Sequence, residues 1–292
     1  MKVALSTDTS CTISKELASK LNIFVFPLNV IINGEEFLDG VTINQAELCE
    51  AMRGGKNIKT STPPPSSVIE YFTDIFAQGY DYVVHFTISS KLSSMNQLFN
   101  NISNSEFDGK IIVIDGYSVS RQMLSHVIIV HDEIEKGTDI HEIQKLVDER
   151  NKDNCHCVFI PENLTALKNG GRISPTIAAI GNMIGLKPLI ALHDGALVKD
   201  NMTRNVKKAF VDKIDELSSS CSIDKYDYSV VSFDGNEQLV NFLIKYIENK
   251  FEGYHILLDD IAINVCAHCG PGTIGVLVTP KINGKSIYEY LK

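Results

Sequence analysis

Short apolar runs alternate with stretches of helical period through the first half of the chain. The spacing leaves room for a helical crossover between successive strands, which constrains the fold more than any other feature. Residues 3–5 read as a strand, followed by a polar turn over 6–12 and a helix opening at Ser14. Residues 23–32 form a second strand region, interrupted by Pro27 and therefore at an edge or irregular. Ser67-Val-Ile-Glu70 reads as a capping box ahead of a helix with Ile69, Phe72, Ile75 and Phe76 on one face. A strand over 82–88, a helix over 92–102 and a strand over 110–115 follow; Asp139-Ile-His-Glu142 then caps a helix reaching Arg150. This order predicts a mostly parallel sheet.

The pattern breaks at the polar stretch 151–154, which divides the chain into an N-terminal α/β domain over 1–153 and a C-terminal α/β domain over 154–292. Beyond it come an apolar run over 157–160, a short helix from Glu162, a stop at Gly170-Gly171, and a helix opening at Ser174-Pro175. Two apolar runs around Asp194-Gly195 make the strongest hairpin pattern in the chain. The passages 228–251 and 256–278 complete it, the latter split by His268-Cys-Gly-Pro-Gly272 between two runs that read as strands. The expected fold class is α/β: two α/β domains with a ligand site between them, where such sites are favoured.

Composition narrows the function. A formal net charge of −9, from 27 Lys plus Arg against 36 Asp plus Glu, argues against general binding to nucleic acid, which needs a basic face. The longest apolar runs fall short of the roughly 20 residues that span a bilayer, and the first ten residues lack the pattern of a signal peptide. Seven cysteines without a dense framework fit a reducing compartment, so a cytoplasmic location is expected.

Four segments carry candidate chemistry. Ile88-Ser-Ser-Lys-Leu-Ser-Ser94 joins a strand to a helix whose first N–H groups and serine hydroxyls suit an anion; N-capping by Ser90 or Ser93 explains it equally well. Thr60-Ser-Thr-Pro-Pro-Pro65 sets hydroxyls on a backbone stiffened by proline, or simply launches the next helix. His268 stands in a glycine-rich turn, able to meet a carboxylate or to be a satisfied buried histidine. Lys168-Asn-Gly-Gly-Arg-Ile-Ser174 opens a locally basic stretch that suits phosphate, an acidic partner surface or plain solvent. Cys155, Cys157, Cys266 and Cys269 contain enough sulfur for zinc or dithiol chemistry, but neither pair sits at the start of a helix, as redox motifs prefer. No metal site is therefore expected. Asp8, in the first turn, suits a cap or a catalytic carboxylate; with His268 it frames the alternative of an enzyme acting on a small anionic substrate.

Taken in order, the chain resembles the DegV family of bacterial fatty-acid-binding proteins. The resemblance rests on Asp8-Thr-Ser-Cys-Thr-Ile13, Phe26-Pro-Leu-Asn29, Thr60-Ser-Thr-Pro63, Ile88-Ser-Ser-Lys-Leu-Ser93 and Val113-Ile-Asp115. It continues through Leu167-Lys-Asn-Gly-Gly-Arg-Ile-Ser174, Leu186-Lys-Pro-Leu189, Asp194-Gly195 and His268-Cys-Gly-Pro-Gly272, and so covers nearly the whole chain. It implies a long-chain fatty acid such as palmitate held between two α/β domains. It also implies a non-catalytic subunit, without a cofactor, that presents the carboxylate to a separate fatty acid kinase catalytic subunit for conversion to an acyl phosphate used in phospholipid synthesis. Transient membrane contact is compatible with that role. By the same resemblance, Thr60 and Ser93 match the head-group contacts, with His268 close by and the hydroxyls of Thr62 and Ser94 adjacent; Arg172 and Arg204 match basic positions near the mouth, for partner docking or head-group support. The chain departs from the family's Leu-Ser-Gly-Thr at Leu92-Ser-Ser-Met95, where Ser94 adds bulk and a further hydroxyl.

Overall fold

The computed structural model describes residues 1–151, 154–162, 164–173, 185–256 and 258–291; the boundary at 153/154 and the helix expected from Ser174 fall outside them. The strands are β1 (Val3–Asp8), β2 (Ile23–Phe26), β3 (Asn29–Ile32), β4 (Glu35–Leu38), β5 (Ile58–Ser61), β6 (Tyr82–Thr87) and β7 (Ile111–Asp115), then β8 (His156–Ile160), β9 (Lys187–His193), β10 (Ala196–Thr203), β11 (Tyr226–Phe233), β12 (Leu258–Asp259) and β13 (Thr273–Pro280). The helices among the described residues are α1 (Lys15–Lys20), α2 (Gln45–Arg53), α3 (Pro65–Phe76), α4 (Met95–Glu106), α5 (Ser120–Glu135) and α6 (Ile143–Asn151), then α7 (Thr165–Asn169), α8 (Val206–Ser218), α9 (Glu237–Lys250), α10 (Ile263–Cys269) and α11 (Ile287–Tyr290).

The first sheet is parallel, in the order β2-β1-β6-β7. Its strands are buried on both faces because helices cover each one. Leu5, Val84 and Phe86 pack against Met123 and Val127 of α5, while Ala4 and Val83 pack against Phe72 of α3 and Phe99 of α4. Two-sided burial leaves only the edge of such a sheet for a ligand, at the carboxyl ends of its strands. Inside it Ser6 Oγ lies 2.8 Å from His85 Nδ1 and 2.7 Å from Tyr71 OH, while His85 Nε2 has no partner among the described residues; burial pushes His85 down to about 3, which keeps it neutral.

The strand region 23–32 is indeed split at Pro27. Its first part is the edge strand β2, and its second, β3, leaves to form a small antiparallel sheet, β4-β3-β5. A parallel sheet was expected to account for most of the first half, so this minor sheet is a departure. It brings Thr60, on β5, opposite Val30.

The six strands of the second sheet run in the order β10-β9-β8-β13-β11-β12 and are antiparallel except for the last pair. Alternation along them sends Val158, Val230, Val276 and Val278 toward α8 and α9, and Cys157, Val231 and Leu277 to the opposite face. That second face meets the β3–α2 region of the first half, through Val30, Ile43 and Leu48. The hairpin turn at Asp194-Gly195 has positive φ at both residues, 45° and 78°, as a two-residue turn of that hand demands. The chain finally returns to the first core, where Ile282 and Ile287 join the cluster around Val84 and Val127.

Several boundaries differ from those expected, among them helix α4, which runs from Met95 to Glu106 rather than over 92–102. Helix α3 starts at Pro65, with no side-chain cap, so Ser67 lies inside it. A proline at the first helical position needs no N–H partner and sets the helical φ itself. Helix α7 opens at Thr165, three residues after Glu162. The largest difference is α10: residues expected to continue a strand up to Cys269 form two turns of helix. A short apolar run has no periodicity that separates a buried helix from a buried strand.

Candidate functional site

One cavity lies between the carboxyl edge of the parallel sheet, the small sheet and the inner face of the antiparallel sheet. Its empty space, counted out through the mouth into open solvent, is about 1150 Å³. Its walls are mainly apolar, with Leu28, Ile88, Phe159, Leu192, Val231 and Leu277 among them.

The polar groups gather at one side. Thr60, Thr62, Ser93, Ser94, Arg172 and His268 all line this cavity, although they come from four separate segments of the chain. Thr62 and Ser94 are exposed and mark the mouth. Thr60 Oγ1 and His268 Nε2 stand 2.8 Å apart and share a hydrogen bond. Burial, with the Arg172 guanidinium second, pushes His268 down to about 4, so the imidazole is neutral at physiological pH. With Nε2 protonated, the imidazole donates to Thr60 and leaves the threonine hydroxyl free to donate to a ligand. Ser93 Oγ accepts the Met95 N–H at 3.3 Å, so its oxygen helps start α4 while its own hydrogen points elsewhere. Ser90 takes no part in capping; its N–H donates to Asp115 Oδ1 at 3.1 Å.

The Gly-Gly-Arg segment builds the opposite lip. Gly170 ends α7 with φ of −75°, a conformation open to any residue, so its backbone does not require glycine. The requirement is spatial, because a methyl group there would overlap His268 Nδ1. Gly171 follows with φ of +68° and turns the chain so that Arg172 folds back toward the cavity. Arg172 Nε donates to the Leu92 carbonyl at 3.0 Å, and its Nη1 donates to the Gly170 carbonyl. Arg172 thus ties the lip to the loop that carries Ser93. It also lines the two open clefts that border the cavity, one beside Ser90 and Lys91, the other beside Lys59 and Gly270.

Arg204 is not brought to this site. It is exposed in the turn between β10 and α8, a turn held by Thr203 Oγ1 bonding to Asn205 and by Asn205 capping α8, and it does not line the cavity. Asp8 is also elsewhere: it is fully buried, accepts N–H bonds from Ser10 and Ile88 at 2.8 Å each, and fastens two loops together beneath the cavity. Burial raises it to about 6. The acid–base pairing of Asp8 with His268 expected for an enzyme therefore has no common chamber.

The cysteines divide similarly. Cys157 and Cys269 line the cavity, while Cys155 packs near His126. All seven are free thiols, and among the described residues no group of three or more His, Cys, Asp or Glu side chains could hold a metal ion. Cys266 and Cys269 occupy the last turn of α10 rather than flanking strands.

Five further polar residues line the wall without having been singled out from the sequence: Asn29, Ser61, Ser120, Asn264 and Thr273. Asn264 was detectable: Ile261, Asn264, Val265 and His268 follow a helical period, and all four line the cavity.

No helix among the described residues is long and apolar enough to cross a membrane. Residues 2–281 match the model of the DegV family, which is described as one of uncharacterised proteins. A DegV domain-containing protein of Mycoplasmopsis pulmonis is 30% identical over 281 residues, covering 94% of each chain. Another, from Caldanaerobacter subterraneus, is 27% identical over 283 residues, 96% of this chain and 99% of that one. Among solved structures, a DegV family protein from Thermus thermophilus described as binding fatty acid is 25% identical, with a TM-score of 0.83 over 96% of this chain and all of that one. A stearic acid-binding protein from Eubacterium ventriosum shares the fold, with a TM-score of 0.83 at 24% identity over 97% of this chain and 99% of that one.

Proposed function

The chain belongs to the DegV family, and from that premise we propose that it binds one long-chain fatty acid in the cavity between its two α/β lobes, 1–153 and 154–292. The bound acid is cargo, no cofactor is required, and the chain hands its carboxylate to a fatty acid kinase catalytic subunit that forms the acyl phosphate. The observation that carries this reading is the make-up of the site: a mainly apolar chamber whose wall holds Thr60, hydrogen-bonded to His268, together with Ser93 and Arg172.

That division suits an amphiphile. A palmitate-like tail has about 14 methylenes, each contributing roughly 0.8 kcal/mol on burial, or on the order of 11 kcal/mol in gross terms. Hydrogen bonds to a carboxylate contribute about 1.5–3 kcal/mol each and largely offset its desolvation. The tail therefore supplies affinity and the head group supplies orientation. Thr60, with its hydrogen free while His268 donates to it, and Ser93 are the donors in this arrangement. Thr62 and Ser94 stand further out, and Arg172 borders the clefts from which a partner would approach. Arg204 keeps only a docking role here, since it lies away from the cavity.

Native mass spectrometry of the purified protein, followed by extraction and lipid identification, tests the binding half. One fatty acid per chain is the expected result. A ligand-free protein that also refuses added fatty acid would overturn it. Acyl phosphate formation with a fatty acid kinase and ATP tests the second half.

A further inference from the structure

Helix α10 carries two polar side chains on its cavity face, and only His268 belongs to the head-group site. Asn264 stands four residues earlier, about 6 Å along the helix axis, with Ile261 and Val265 beside it on the same wall. It is 6% exposed. Its Nδ2 donates to Ser10 Oγ at 2.9 Å, and its backbone N–H donates to Asp39 at 3.2 Å, so the side chain is held in place. Its carbonyl oxygen, Oδ1, is buried with no partner among the described residues. An acceptor in that condition costs free energy until a donor reaches it.

A complementary group lies close by. Ser120, 3% exposed, also lines the cavity, and its Oγ accepts the N–H of Ala262 at 3.1 Å. Having accepted there, the hydroxyl keeps its own hydrogen for another acceptor. The wall beyond the head-group site thus holds one acceptor and one donor, with Ser10 and Asp39 fixing Asn264 from one side and Ile261 and Val265 beside it on the wall, the complement of a single alcohol.

We infer that this cavity is built for an acyl chain bearing a hydroxyl group in its carboxyl-proximal part, with the alcohol donating to Asn264 and accepting from Ser120. The inference rests on the fatty-acid reading and names a class of ligand within it. An unsubstituted chain leaves Oδ1 unpaired, whereas the alcohol, by displacing the wall enough to reach it, satisfies it. A site with buried hydrogen-bonding groups discriminates against ligands lacking the matching group more sharply than an apolar wall discriminates by size.

The test is competition on the intact protein between palmitate and hydroxypalmitates carrying the alcohol near the carboxyl end, at mid-chain and near the methyl end. The expected result is roughly three- to tenfold tighter binding for the carboxyl-proximal isomer, with no gain for the methyl-end isomer. In Asn264→Leu, which keeps the volume, the ratio of hydroxypalmitate to palmitate affinity falls to roughly one. Should Asn264→Leu fail to fold, the isomer series on the native chain decides the matter alone. Equal or weaker binding of every hydroxylated isomer, with palmitate still bound, overturns the inference and leaves the fatty-acid reading standing. Failure of all the ligands to bind removes both.

Discussion

The two sheets meet the cavity in different ways. The parallel sheet is covered by helices on both faces, so it contributes only loops at the carboxyl ends of its strands, including the one that carries Ser93. The antiparallel sheet is covered on one face by α8 and α9 and contributes part of the other, with Cys157, Val231 and Leu277 lining the cavity. The parallel sheet thus supplies Ser93 and Ser94 on a short loop and the small sheet supplies Thr60, while the antiparallel sheet supplies an apolar wall with Arg172 and His268 on its connections. Connectivity explains the difference: parallel strands need crossovers that cover both faces, while antiparallel hairpins leave a face open. An amphiphilic site follows from placing one kind of sheet against the other.

The largest effects should come from breaking one sheet and then the other. Leu277→Asp sets an unpaired carboxylate on the inner face, expected to cost about 3–5 kcal/mol in chemical denaturation and to abolish lipid retention. Phe72→Ala, in the core of the parallel half, should cost a similar amount, about 3–5 kcal/mol, yet leave lipid bound per folded molecule. Loss of lipid in both variants would mean that the wall has no special role.

Gly170→Ala comes next. Its methyl group must displace His268, so an overpacking cost of about 1–3 kcal/mol is expected. Acyl phosphate formation should fall at least about tenfold, while extraction still recovers lipid. Wild-type turnover would show that the His268 position is unimportant.

A smaller effect concerns the junction of the halves, where Asp39 holds α10 through Asn264. Burial pushes Asp39 up to about 7 and Asp8 up to about 6. From about pH 4 to 7 the folded chain therefore holds more protons at these sites than the unfolded chain, and their contribution to stability falls as pH rises. His85, His126 and His268, pushed down to about 3, 3 and 4 by burial, act in the opposite sense: their contribution rises with pH up to about 6.5. Asp39→Asn removes part of the first trend, so it should gain on the order of 1–2 kcal/mol relative to wild type between about pH 5 and 8. A pH-independent difference in denaturation midpoints would contradict this.

The smallest change in affinity is expected from Ser93→Ala and Thr60→Val: roughly threefold weaker lipid binding but severely impaired phosphorylation, because the tail supplies affinity and the hydroxyls supply orientation. Arg172→Ala should spare lipid binding and reduce coupling to the kinase. Parallel loss of binding and phosphorylation in the hydroxyl variants would erase that division of labour.

Much of this was legible in the chain. The Asp194-Gly195 turn declares itself because few residue pairs tolerate positive φ at both positions. The split at Pro27 follows from a residue that cannot donate to a ladder. Helix α10 was misread because its apolar residues fit two periods equally well, and the small sheet was missed because β3 pairs with β5 across the intervening β4 and α2.

The sequence by itself determined most of the turns and many of the strands and helices, which residue types stand ready for a head group, and that the chain resembles one family. Those properties arise from backbone conformation and side-chain period within a few residues of each other. Only the tertiary structure decided that Thr60 and His268, 208 residues apart, share a hydrogen bond, that Gly170 makes room for an imidazole, and that Arg204 lies away from the site. Such proximity depends on how two sheets pack against each other, and no local preference encodes that.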